Sequence, residues 1–107
     1  MGEHPARTEL RLPKVLAALA DPARLRTVRI LAGVGESSCT DLLHTAELTI
    51  GRSTFSHHQK VLREAGIISA EVRGAQRILS IRRADLDACF PGLLDAILST
   101  DDQYLGD

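Results

Sequence analysis

"RSTFSHHQKVLREAG", residues 52–66, decides how this chain reads. Small hydroxyl residues give way to two adjacent histidines, then to a mixed apolar and charged run closed by glycine, as in a helix ended by a left-handed residue. Phe55, His58 or Gln59, and Leu62 fall on one stripe of that helix, whereas Ser53, Ser56, His57, Lys60 and Arg63 or Glu64 fall on the other. Adjacent helical positions point about 100° apart, so the two histidines do not readily share one ligand. A helix that offers hydroxyls, an imidazole and a cation over its first two turns has the length and donors to read base edges and phosphates in a major groove.

Upstream, Leu12, Val15, Leu16 and Leu19 keep helical spacing and predict a first helix near residues 8–20. Asp21-Pro22 reads as an N-cap with proline at the first helical position, and Leu25, Val28, Ile30 and Leu31 carry a second helix over about 22–32. The glycines of "GVGESS" break the pattern, and Ser37 or Ser38 can cap a short third helix reaching about residue 45. "ELTIG" is expected to turn into the fourth helix, about 51–65, which Gly66 ends. Downstream the period changes. "IISAEV" and "RILSI" are β-prone runs around "RGAQ", so a two-stranded hairpin is expected over about 67–72 and 76–81, with Arg73 and Arg77 near its tip. A last helical region begins at Ala84; Pro91 forces a break near Phe90, leaving "PGLLDAILS" as its own short helix. Its stripe of Leu93, Leu94, Ile97 and Leu98 has little of the chain left to cover, which suits a dimer seam.

At 107 residues the chain fits one domain, with a core over about 8–99 and frayed residues at 1–7 and 100–107. Apolar residues make up 44% but aromatics only 3%, so the core must be Leu, Ile, Val and Ala, which favours helices over a β-sandwich. A chain this small gains from burying surface against a second copy. "MGEHPARTEL" has no apolar stretch of the signal-peptide kind, and no segment approaches the roughly 20 apolar residues that span a bilayer, so a cytoplasmic protein with no membrane partner is expected.

The net charge of −1 conceals an uneven distribution. Residues 1–51 carry six Lys/Arg against six Asp/Glu; residues 52–83 carry seven against two; from residue 84 there are six acids and no Lys or Arg. A basic middle framed by neutral and acidic segments points to an anionic partner met by one face.

Helix, turn, polar helix, glycine and basic-tipped hairpin is the order of a winged helix-turn-helix, mainly α with a β-hairpin wing. "ALADPARLRTVRILA" followed by "STFSHHQKVLREAGII" resembles the arsenic-repressor (ArsR/SmtB) family of bacterial winged-helix repressors, whose members show "LADPTRLRIL" and "STVSHHLKVLREAGLV", over about residues 12–98. The resemblance implies a homodimer, joined through the first and last helices, that binds double-stranded DNA at an operator with dyad symmetry and represses transcription. The implied DNA-binding positions are Arg52, Ser53, Thr54, Ser56, His57 and Lys60 in the helix and Arg73 and Arg77 on the wing, with His58 turned inward.

Family members differ in inducer. One type senses soft metals through "ELCVCDL"; here the stretch is "ESSCTDL", so Ser38 and Thr40 stand where those cysteines would be and Cys39 lies between them. A second type uses Asp and His on the last helix, but no histidine follows His58. A carboxylate-only set is a weak zinc site, so no metal and no cofactor is expected and the inducer stays open. Cys39 and Cys89 read first as two partly buried free thiols, and as the alternative a thiol switch for oxidants or persulfides, which would need a lowered thiol pKa and Cα atoms within about 7 Å. A winged-helix interaction module that does not bind DNA is the other alternative. Catalysis is not expected, because His57 and Ser53 share a face at i, i+4 but no oxyanion loop or phosphate cradle accompanies them.

Overall fold

Asp21 and Pro22 begin the helix on which the other elements are assembled. In the computed structural model, which describes residues 4–45 and 50–105, Oδ2 of Asp21 accepts the N–H groups of Ala23 at 2.9 Å and Arg24 at 3.1 Å, satisfying two amides that have no partner within the helix. The helix it opens, α2, runs Pro22–Val34 and ends at Gly35, whose φ of 89° no side-chain-bearing residue adopts readily. It passes through Gly33 and so extends two residues beyond the expected end, because a glycine in a helix interior costs only about 1 kcal/mol. Before it lies α1, Leu12–Leu19, shorter than expected; its N-cap Arg11 is extended, with Pro13 at the second helical position, and residues Arg7–Glu9 form a separate 3-10 turn.

After α2 come β1 (Glu36–Ser38), α3 (Cys39–Thr45), α4 (Arg52–Glu64), β2 (Ile68–Arg73), β3 (Gln76–Ile81), α5 (Arg83–Cys89) and α6 (Leu93–Ser99), then a 3-10 turn at Asp102–Tyr104. The strands form one antiparallel sheet in the order β1-β3-β2, so the expected hairpin is a three-stranded sheet. β1 joins it by pairing Glu36 with Ser80 and Ser38 with Ile78, while β2 and β3 pair from Ile68 with Ile81 to Arg73 with Gln76. Ser38 closes β1 and opens α3, its Oγ accepting the Asp41 N–H at 3.2 Å. Most of the turn expected at "ELTIG", residues 47–49, lies outside the described residues. The break at Pro91 is present, with Gly92 at φ 85° between α5 and α6.

The core is aliphatic, with Val28 and Leu31 from α2, Leu42 from α3, Leu62 from α4, Ile67 and Ile68 around the start of β2 and Leu79 from β3 fully buried, and Phe55 among them. α4 packs on α1, α2 and β2. The N-terminal residues are not frayed from residue 4 onward. Leu10 is buried, Arg82 donates to the Pro5 carbonyl at 2.7 Å, Arg7 pairs with Asp85 at 2.7 Å, and the Ala70 N–H on β2 donates to Nε2 of His4 at 3.0 Å. At the other end Arg29 of α2 donates to the Ile97 carbonyl at 2.6 Å and reaches Asp102 at 3.1 Å, holding residues beyond α6 in place. No helix among the described residues is long and apolar enough to cross a membrane.

Candidate nucleic-acid interface

α4 has thirteen residues, about 20 Å at 1.5 Å per residue, and separates its side chains sharply. Arg52, Ser53, Thr54, Ser56, His57 and Lys60 are all exposed, whereas Phe55, His58, Gln59 and Leu62 are buried. Both His58 and Gln59 belong to the inner stripe, between which the sequence pattern did not decide. Arg63 is buried too, so only Glu64 of the two expected outer positions is exposed. The helix closes through the amides of Gly66 and Ile67, which donate to the carbonyls of Arg63 and Leu62 at 3.0 Å each, a Schellman arrangement that leaves Ile67 buried over Leu62.

The buried polar residues of α4 each have a partner. His58, 9% exposed, meets Arg24 of α2: Nη1 of Arg24 lies 3.1 Å from Nδ1 of the imidazole. Arginine has no acceptor, so Nδ1 must offer its lone pair and the imidazole proton sits on Nε2, 3.8 Å from Oδ2 of Asp21. Burial pushes the His58 pKa below the usual histidine value; Asp21 pulls it up, and the charges of Arg24 and His57 push it down. Burial would raise Asp21, but the Arg24 N–H and the nearby His58 and Arg24 outweigh it and hold the carboxyl below its ordinary value. The same guanidinium donates through Nε to the Ala18 carbonyl at 2.6 Å and through Nη2 to Ala17 at 3.4 Å. Gln59 accepts the Cys39 thiol through Oε1 at 3.1 Å.

The wing carries Arg73 and Arg77, both exposed. Arg73 is engaged within the protein: it donates to both carboxylate oxygens of Glu36, at 2.7 and 3.1 Å, and to Glu71 at 2.8 and 3.1 Å. Those bonds raise its pKa and hold Glu36 below the usual glutamate range. Val72, next to Arg73 on β2 and paired with Arg77 across the hairpin, is 73% exposed. Part of the basic surplus of residues 52–83 is likewise met by acids from the C-terminal segment, since Arg82 pairs with Asp85 at 2.8 Å and Arg83 with Asp87 at 3.5 Å and with Asp95.

Cys39 and Cys89 are both partly buried free thiols. Their sulfurs have separate partners, Gln59 for Cys39 and the Arg7 carbonyl at 3.5 Å for Cys89. Burial pushes the Cys39 thiol up, against the weaker pull of Arg77 and Arg63, the opposite of an activated thiolate. Among the described residues no three His, Cys, Asp or Glu side chains gather as metal ligands. Sequence reasoning did not find Arg24 and Asp21 as partners of the polar helix. The signal was there: two adjacent polar residues, His58 and Gln59, on a stripe that must pack require donors or acceptors from elsewhere.

Residues 21–70 match the family model described as "Bacterial regulatory protein, arsR family". The chain is also 31% identical over 85 residues to an uncharacterized HTH-type transcriptional regulator, YceK, of Bacillus subtilis (strain 168), an alignment covering 78% of this chain and 83% of that one.

Proposed function

The chain belongs to the arsR family of bacterial regulatory proteins, and from that premise we propose that it is a cytoplasmic homodimeric repressor of an operator with dyad symmetry. The observation that carries this reading is the division of α4, with the hydroxyls of Ser53, Thr54 and Ser56, the His57 imidazole, the Arg52 guanidinium and the Lys60 ammonium outside and Phe55, His58, Gln59 and Leu62 inside. Ser53, Ser56 and His57 face base edges, Arg52, Thr54 and Lys60 face phosphates, and the wing residues Arg73 and Arg77 reach the neighbouring backbone. The dimer seam is α1 with α6: Leu12 and Leu16 are 40% and 47% exposed, and Leu93, Ile97 and Leu98 are only partly covered. A twofold axis there sets two copies of α4 into successive major grooves about 34 Å apart, so the operator is an inverted repeat.

The test is binding to a duplex that the wild-type protein selects from a random-sequence pool, titrated over a range of salt. His57→Ala and Lys60→Ala each weaken binding while leaving the circular dichroism spectrum and melting temperature near wild type. Near-normal binding by both variants counts decisively against this face. A thiol-sensing repressor is the second reading, favoured by the Cys39 contact with Gln59 on α4 and opposed by the raised Cys39 pKa. It requires oxidant or persulfide to release the duplex from wild type and not from a Cys39→Ser, Cys89→Ser double variant.

A further inference from the structure

A helix reads a groove only while its height and rotation against the rest of the protein are fixed, since a displacement near 1 Å breaks paired donor and acceptor geometry. In α4 three of the five buried positions, His58, Gln59 and Arg63, are polar, and a polar contact fixes rotation more narrowly than aliphatic packing because its energy falls steeply with angle. One guanidinium gathers the constraints. Arg24 spends its Nε and Nη2 on the last turn of α1 and its Nη1 on the inner edge of α4, while its own backbone amide is held by the Asp21 cap at the start of α2. Three helices therefore meet at one side chain.

We infer that Arg24 is the positioning residue of the DNA-reading helix, and that a proton added to His58 opens the joint it makes. The inference rests on the reading of α4 as that helix. The bond from Arg24 requires a lone pair on Nδ1; in the imidazolium both ring nitrogens are donors, so Nδ1–H would face the N–H of a guanidinium across 3.1 Å. A donor opposing a donor, each carrying positive charge, leaves both unsatisfied in a site that is nearly closed to water. The groups that face His58 are Arg24 and Asp21 from the start of α2 and His57 from α4 itself, while α1 enters through the Ala17 and Ala18 carbonyls. Asp21 favours the proton but stands 3.8 Å from Nε2, beyond hydrogen-bond reach; Arg24 and His57 both oppose it. The depressed His58 pKa agrees with that geometry.

Three variants and two readouts test the inference. His58→Asn keeps an acceptor where Nδ1 stood and cannot be protonated; Arg24→Lys keeps the charge but cannot fork to three acceptors; Arg24→Ala removes the joint. The first readout is affinity for the duplex selected from the random pool, compared between about pH 7.5 and about pH 5.5, the range in which histidine titrates. Wild type loses about threefold to tenfold more affinity over that range than His58→Asn, with His57 common to both, and Arg24→Lys and Arg24→Ala bind about tenfold more weakly at the upper pH. The second is amide hydrogen exchange across residues 55–62 in the protein without DNA, taken as protection relative to the intrinsic exchange rate at each pH: protection falls on acidification in wild type but not in His58→Asn, and is already low in Arg24→Lys. Matching pH profiles for wild type and His58→Asn, or α4 exchange in Arg24→Lys equal to wild type, overturns the inference. If wild type selects no duplex at all, the reading of α4 as a DNA helix fails, while the exchange measurement still decides whether the joint exists.

Discussion

At Gly66 two demands coincide. Its φ of 84° lies where a β-carbon is strained, and a β-carbon built there would collide with the Cδ2 of Leu10 from the N-terminal segment. Gly66→Ala therefore destabilises the fold by roughly 2–4 kcal/mol, seen as a lower urea midpoint with an unchanged slope. The first demand is legible in "REAG"; the second is not, because nothing in the sequence places Leu10 beside residue 66. Outward positions on α4 behave the same way. Period alone finds Ser53, Ser56, His57 and Lys60, but leaves Arg63 and Glu64 as alternatives for the outer face, of which Glu64 is exposed and Arg63 buried. Arg73 is readable as a wing cation, whereas its clamp to Glu36, 37 positions away, is not. Removing that carboxylate both loosens Arg73 and, on the proposed reading of the wing, takes a negative charge from beside the DNA backbone. Glu36→Gln thus tightens duplex binding severalfold and steepens the plot of log affinity against log salt by about one unit, measured by fluorescence anisotropy; weaker binding would mean that Glu36 serves to aim Arg73.

Among the elements, those with local causes were legible. The Asp21-Pro22 start of α2, the Gly66 end of α4, the Gly74 turn and the break at Pro91 each depend on residues within a turn of the event. β1 was missed for the opposite reason. Glu36, Ser37 and Ser38 have little strand preference, and their extended form is imposed by pairing with β3 some forty residues later. The seat of α4 gives a stability test at this scale. Because the folded pKa of His58 lies below its value in the unfolded chain, the unfolded chain takes up the proton first as pH falls. Stability is at its full value above about pH 6.5 and declines as pH drops from there through the depressed folded value. Melting temperatures between pH 7.5 and 5 should show this decline in wild type and lack it in His58→Asn. Asp21, depressed in the folded state, adds a separate loss only at lower pH, below the ordinary carboxylate pKa of about 3.9.

At the scale of the molecule, the described chain measures 37 × 33 × 21 Å, and its charge is arranged differently from the linear sequence. The acids after residue 84 do not merely follow the basic segment; Asp85, Asp87 and Asp95 fold back onto Arg82 and Arg83, while Arg52 and Lys60 stay exposed on the helix face. Residue counts gave the sign of the partner and could not give that pairing. The exposed leucines of α1 supply the test of association. Leu16→Glu should convert a dimer into a monomer by sedimentation velocity, with helix content unchanged and duplex affinity reduced about a hundredfold or more as two half-site contacts become one. A dimer that survives Leu16→Glu would move the seam elsewhere.

The N-terminal segment bears on a different hazard. β2 is an outer strand of the sheet, six residues long and exposed toward its wing end, and such a rim is a template on which another chain can add a strand. His4 occupies the Ala70 amide, and Pro5 with Leu10 lies over the glycine where α4 gives way to the sheet. Residues 4–10 thus cover part of that rim, at the Ala70 amide, as well as bracing the fold. His4→Ala, which frees the Ala70 amide and leaves Leu10 in the core, should show less in the melting temperature than in slow, concentration-dependent gain of light scattering and thioflavin fluorescence at temperatures where the fold is intact.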